Sequence, residues 1–303
     1  MAHSKYVEDI DAIVEAGKAS REALDYARAR AKEDMKLIDL SREIERFITD
    51  RGFAFAFPVN LSINDEAAHY TPKADDDKMF RVGDVLKIDI GARKNDNLVD
   101  CAITVDPSNK HAKLVEACDF ALEAAISKVK AGVELRDIGK TVEEISKERR
   151  VIPIRNLGGH GIVAGELHAD IFIPNFDNGD ATRLQEGQVI AVEVFITDGK
   201  DGYVKEGKDV EIFRKFGGYG QIRNSDSRKI ADFIDRNYGT YPFALRWLME
   251  GFESEFKVRA ALNDMMRNEL LESYPILIEK SGGMVAQSEK TLIVEKDSCT
   301  VLT

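Results

Sequence analysis

Apolar positions along the chain switch between two periods, and they do so in the same order twice. LIDLSREIERFI (37–48) and LRDIGKTVEEIS (135–146) place apolar residues three and four apart, which predicts amphipathic helices. Each is followed by a proline-containing extended stretch, FPVNLS (57–62) and IPIRNLG (152–158). Short runs rich in Val, Ile and Leu come next and predict strands. They are GDVLKIDIG (83–91) and VDCAITV (99–105) in the first copy, GQVIAVEVF (187–195) and SEKTLIV (288–294) in the second. Aligned glycine to glycine, Asp89 falls on Glu193 and Asp100 on Glu289. The repeat predicts an α+β fold with two α/β halves related by a pseudo-twofold axis.

The second copy is interrupted between Glu193 and Glu289. SDSRKIADFIDRNY, YPFALRWLMEGF and KVRAALNDMMRNELL lie in that gap, and each has helical spacing. They predict a small helical subdomain over residues 215–275, inserted into a single domain spanning 1–303. A further helix is expected to begin at His111, in HAKLVEACDFALEAAISKVK.

The acids matter because of their neighbours. By strand alternation Ile88 and Ile90 face away from Asp89, and Val192 and Val194 face away from Glu193. A carboxylate on so apolar a strand is costly to bury unless a cation or donors balance it. One such acid alone reads as a solvent-facing residue. Four at matching positions in two copies read as a converging set, which would repel itself without metal ions.

Of the five histidines, His3 and His111 read as surface residues. His69 (NDEAAHYTP), His160 (NLGGHGI) and His168 (GELHAD) lie in polar or glycine-rich stretches near the acidic strands. The small neighbours of His160 leave room for its imidazole to approach a metal. One imidazole among four carboxylates suits a pair of divalent ions such as cobalt, manganese, iron or zinc.

Bulk properties narrow the setting. A net charge of −11 disfavours direct nucleic-acid binding, because phosphates would be repelled. No apolar run is long enough for a membrane span, and the first residues lack a secretory pattern. Three unpaired cysteines, Cys101, Cys118 and Cys299, fit a reducing cytoplasm.

Taken in order, AFPVNLSINDEAAHYTP, LKIDIGA, VDCAITV, PIRNLGGHGI, LHA, NYGTYPFALRW, YPIL and AQSEKTLIVEKDS resemble the type II methionine aminopeptidases, in their archaeal form. The resemblance covers nearly the whole chain and implies a pita-bread fold with a winged-helix-like insert. It also implies removal of the initiator methionine from nascent polypeptides, through a metal-bridged hydroxide attacking the first peptide bond. By position, Asp89 would chelate one metal, Asp100 and Glu289 would bridge two, and His160 and Glu193 would complete the second. Glu193 would also shuttle the proton, and His69 and His168 would contact substrate or the oxyanion. Phe57, Leu167 and Tyr274 fall where the family lines its methionine pocket. The partners implied are nascent chain N-termini near the ribosome, met by a cytoplasmic monomer.

The chain departs from the family in places. The family has Phe-Glu-His-Thr around its last ligand, whereas this chain has Ser288-Glu289-Lys290-Thr291. Alternation points Ser288 and Lys290 away from the Glu289 face. Asp170 replaces a usual glycine, and residues 199–216 match poorly. Two other readings share the fold: a pita-bread binding protein without catalysis, and a proline-directed peptidase.

Overall fold

The computed structural model describes residues 9–216, 222 and 224–303. His3, and residues 217–221 and 223 of the expected insert, lie outside the described residues. The helices are α1 (Ile10–Arg30), α2 (Leu37–Thr49), α3 (Ala112–Ile126), α4 (Leu135–Arg149), α5 (Ser225–Asn237), α6 (Leu245–Leu248) and α7 (Glu255–Arg267). The two matching helical segments are α2 and α4. α2 buries Leu37, Leu40, Ile44 and Ile48 along one stripe, and α4 buries Leu135, Ile138 and Val142.

Each half has its own core. In the first, α1 and α2 pack on Leu61, Leu86, Ile88 and Ile90; in the second, α3 and α4 pack on Ile190, Val192, Val194 and Leu292. Burying each such side chain contributes about 1.5–3 kcal/mol, which fixes the register of the strand that carries it. The helices therefore cover one face of the sheet, and alternation sends the acids to the other. The mixed helix and sheet content and the repeated helix-and-strand order agree with the expected two-half α+β fold.

Nine strands form the main sheet. Seven of them form the path Glu166–Pro174, Gly158–Val163, Val189–Thr197, Val285–Val294, Cys101–Val105, Leu86–Ile90 and Asn60–Ile63, while Ile152–Pro153 and Cys299–Val301 pair beside it. The halves join where Glu289 pairs with Ala102. A four-stranded sheet, built mainly from Val204–Lys215 and Leu271–Glu279, stands beside it and carries α5, α6 and α7. Ile230, Ile234, Leu248, Val258, Leu262 and Met265 give these helices a core of their own.

Two details differ from the sequence pattern. YPFALRWLMEGF forms only the single turn α6, because Phe243–Ala244 pairs with the Val204–Lys215 strand before the turn begins. Pro242, just ahead, has no N–H to extend a helix backward. Arg246 of α6 is buried and docks on the first half, donating to Ser41 (3.0 Å), the Pro72 carbonyl (3.0 Å) and Glu45. His111 stands at the start of α3 but is half-buried, because Asp106 accepts from its backbone N–H (2.6 Å) and draws the loop inward. Among the described residues, no helix is long and apolar enough to cross a membrane.

Candidate metal centre

Strand register explains how residues distant in sequence meet. In antiparallel pairing, directly opposed residues share a face. Asn60 pairs with Asp89, Asp89 with Ala102, Ala102 with Glu289 and Glu289 with Glu193, a continuous row across five strands. Two residues further along, Thr291 pairs with Ala191 and Ala191 with His160, on the same face. Asp100 sits just before its strand rather than inside it. Thr291 fixes it there: its Oγ1 accepts from the Asp100 N–H (2.8 Å) and donates to the Asp100 carbonyl (2.7 Å). Ala102 and Ala191 occupy the middle of the rows, and both are buried.

His160 is brought in by glycine. A Cβ on Gly159 would lie 2.2 Å from the Ala191 carbonyl oxygen, so only glycine lets this strand approach so closely. The His160 Nε2 lies 3.3 Å from Asp100 Oδ2 and 3.8 Å from Glu289 Oε1. One oxygen each of Asp89, Glu193 and Glu289 lie within 4.8 Å of one another, as do atoms of Asp100, His160 and His168. The four carboxylates therefore converge, and His160 joins them from its glycine-rich strand.

The electrostatics are those of a centre built for cations. Asp89 Oδ1, Asp100 Oδ1 and both Glu289 oxygens are buried without any protein donor. Burial first, then the Asp100 and Glu193 charges, push the Asp89 carboxyl well above its ordinary range. Burial with Asp100, Glu193 and Asp89 does the same to Glu289. Burial also lifts Glu193 to about 8, against the pull of His160. For His160, burial lowers the pKa, but the Asp100 hydrogen bond and charge outweigh it and leave it raised. Orphaned oxygens that repel one another, beside an imidazole, fit divalent metal binding.

The remaining predicted residues surround this centre. His69, Phe57, Leu167, His168 and Tyr274 all line one pocket whose floor includes Asp89, Asp100, His160 and Glu193. His69 adopts a left-handed backbone (φ 67°), a strained state for a non-glycine residue, and its Nδ1 lies 3.2 Å from the Pro275 carbonyl. Burial lowers its pKa to about 4, so the ring is neutral near pH 7. The His168 ring stands edge-on to His160 with centroids 4.5 Å apart, and the His69 and Tyr274 rings are 5.4 Å apart. Asp170 is exposed two residues beyond His168 on the same strand face.

Ser288 and Lys290 point away from the centre, as alternation predicts. Ser288 donates to Asp119 (2.5 Å) and Lys290 to Glu123 (2.7 Å), both on α3. Two residues escaped the sequence reasoning. Gln287 Nε2 donates to Glu193 Oε1 (2.8 Å) and Asp89 Oδ2 (3.2 Å), joining one acid from each half. Asn60 lies beside Asp89 and lines the pocket. The signal for Gln287 was present, since it stands two residues before Glu289 and hence on the same face. Asn60 had no such signal, because only the pairing places it beside Asp89.

A carboxylate-rich cluster with one imidazole, at the bottom of an apolar pocket between two repeated halves, defines a metal-dependent enzyme centre. The model of metallopeptidase family M24 matches residues 11–227, and the chain belongs to that family. It is 42% identical over 296 residues to a methionine aminopeptidase of Pyrococcus horikoshii, covering 97% of this chain and 99% of the relative. A methionine aminopeptidase of Saccharolobus solfataricus is 37% identical over 296 residues, covering 98% of each. Among solved structures, a thermophilic Arx1 superposes with a TM-score of 0.84 at 18% identity, covering 97% of this chain and 91% of that one. A Thermotoga maritima methionine aminopeptidase gives 0.69 at 21%, covering 98% of each. At such identities these structures establish the shared pita-bread fold.

Proposed function

We propose that this protein removes the N-terminal methionine from polypeptides in a metal-dependent hydrolysis. The observation that carries this is the convergence of Asp89, Asp100, His160, Glu193 and Glu289 beneath an apolar pocket of suitable lining. The full-length similarity to archaeal methionine aminopeptidases supports the same activity.

In this reading Asp89, Asp100, His160, Glu193 and Glu289 hold two divalent ions. When bound, the ions supply Lewis acidity and lower the pKa of water at the site. The protein's own groups do the rest. Phe57, Leu167 and Tyr274 receive an unbranched thioether side chain, which an apolar wall suits. Glu193 holds and moves a proton between water and the leaving amine. His168 faces the scissile bond and donates to the oxygen that gains charge, while His69 contacts the substrate beside it. The neutral His69 ring carries its one N–H on Nδ1, where the Pro275 carbonyl accepts it (3.2 Å), so Nε2 is left as an acceptor for a substrate donor. From the expected insert, Pro242 and Tyr274 wall one side of the pocket. The substrates are nascent chain N-termini in the cytoplasm, with the ribosome nearby as their source.

The test is hydrolysis of Met-Ala-type peptides by protein reconstituted with manganese or cobalt, beside X-Pro peptides. Release of methionine, with about two metal equivalents bound in calorimetry, is expected. Absence of any hydrolysis would refute the proposal, and preference for X-Pro would replace it with a proline-directed peptidase. No observation favours the non-catalytic reading, since every ligand position is filled.

A further inference from the structure

Among the polar groups facing the pocket, Asn60 stands apart from the acids. It is only 4% exposed, it lines the pocket, and its Oδ1 is buried without a donor. Its orientation is fixed from the other end, where Nδ2 donates to the Pro58 carbonyl (3.2 Å). Flipping the amide would set two acceptors against each other, so Oδ1 must be the atom that is left over. An orphaned carboxylate can be relieved by a proton or a metal ion. An amide oxygen takes no proton in this pH range, and leaving it dry costs about 1–3 kcal/mol. Asn60 pairs with Asp89 across neighbouring strands, so its side chain shares the sheet face that carries the acids. A neutral acceptor lining the pocket beside the acids suits a ligand group that brings N–H donors.

We infer that Asn60 Oδ1 accepts a hydrogen bond from the α-amino group of the substrate's first residue, making Asn60 a specificity residue that selects free N-termini. This rests on the proposed aminopeptidase activity and adds the group that recognises the amine. The walls of the pocket, including Phe57, Leu167 and Ile212, offer the methionine side chain only apolar contact. The α-amino group is the donor-rich part of an N-terminal methionine, and it lies at the end nearest the reacting bond. A buried acceptor waiting for it also disfavours chains whose amine is absent, because Oδ1 then stays unpaired.

The test compares two probes that differ only in the amine, L-methioninamide and 4-(methylthio)butanamide. Their binding to the manganese-loaded wild type, Asn60→Leu and Asn60→Ala is measured by calorimetry. Metal stoichiometry and melting curves are recorded for each protein. Loss of a hydrogen bond to a charged group predicts about 10- to 100-fold weaker methioninamide binding in both variants. The des-amino probe is expected to change less than about twofold or threefold, since it never made the bond. Equal losses for both probes, no loss for either, or a missing metal equivalent in the variants would overturn the assignment. Wild-type protein that hydrolyses Met-Ala but shows unchanged discrimination after substitution defeats the Asn60 inference alone. Wild-type protein that neither hydrolyses Met-Ala nor binds methioninamide defeats both proposals.

Discussion

Gln287→Leu probes how the two halves are held in one centre. The Gln287 amide donates to Glu193 Oε1 at 2.8 Å and to Asp89 Oδ2 at 3.2 Å, so it orients one proposed ligand from each copy of the repeat. Hydrogen bonds to charged groups are worth about 1.5–3 kcal/mol each. The loss in metal affinity should be smaller than their sum, because the same bonds also orient the acids before metal arrives. Loss of such supporting contacts lowers affinity about 10- to 100-fold, or about 1.4–2.8 kcal/mol. Leucine preserves most of the volume, and the backbone contacts to Thr104 Oγ1 (N–H at 2.8 Å, carbonyl at 2.7 Å) need no side chain. Leucine removes the orphaned Gln287 Oε1 but leaves Glu193 Oε1 and Asp89 Oδ2 without the amide donor, so the metal-free melting temperature should fall as well. Calorimetric titration of manganese at fixed pH, with a thermal melt beside it, checks both statements. Affinity within twofold of wild type in a folded variant would refute the orienting role.

Other substitutions separate the centre from its surroundings. Glu289→Ala should abolish stoichiometric metal binding yet raise the melting point of the metal-free protein, because two orphaned oxygens disappear from the interior. A lowered metal-free melting point would count against that account. Lys290→Ala breaks only the ion pair to Glu123 on the far face, so stability should fall by less than about 1 kcal/mol. Its kcat/KM on Met-Ala should stay within about twofold, since Lys290 does not face the centre. His69 governs an acid limb. Its pKa falls from 6.5 unfolded to about 4 folded, so the unfolded chain binds more protons in between. The stability His69 contributes is complete above about pH 6.5 and is lost as pH falls through about 4. Denaturant melts at pH 7, 5.5 and 4 should show a shallower decline for His69→Asn, a residue that tolerates the left-handed backbone. An identical decline in both proteins would contradict it.

Much of this molecule is written in local order. Periodicity placed α2 and α4, and alternation put Ile88 and Ile90 on the face opposite Asp89, because burying those side chains leaves a strand no other register. The same rule sent Ser288 and Lys290 to α3 and kept Glu289 inside. The repeat matches Asp89 with Glu193 and Asp100 with Glu289, since duplicated patterns bury equivalent faces. It could not show that Asp100 lies just outside its strand, held by Thr291 from the other half. Nor could it show that YPFALRWLMEGF spends its first residues on a strand pairing and keeps a single helical turn. The pairing of Asn60 with Asp89 and the reach of Gln287 across two halves join residues far apart in the chain. Spacing along a sequence carries the face a side chain occupies, but not which strand will lie beside it. That choice belongs to the packing of the two cores, and it alone brings the acids, the imidazoles and the neutral amides of one centre together.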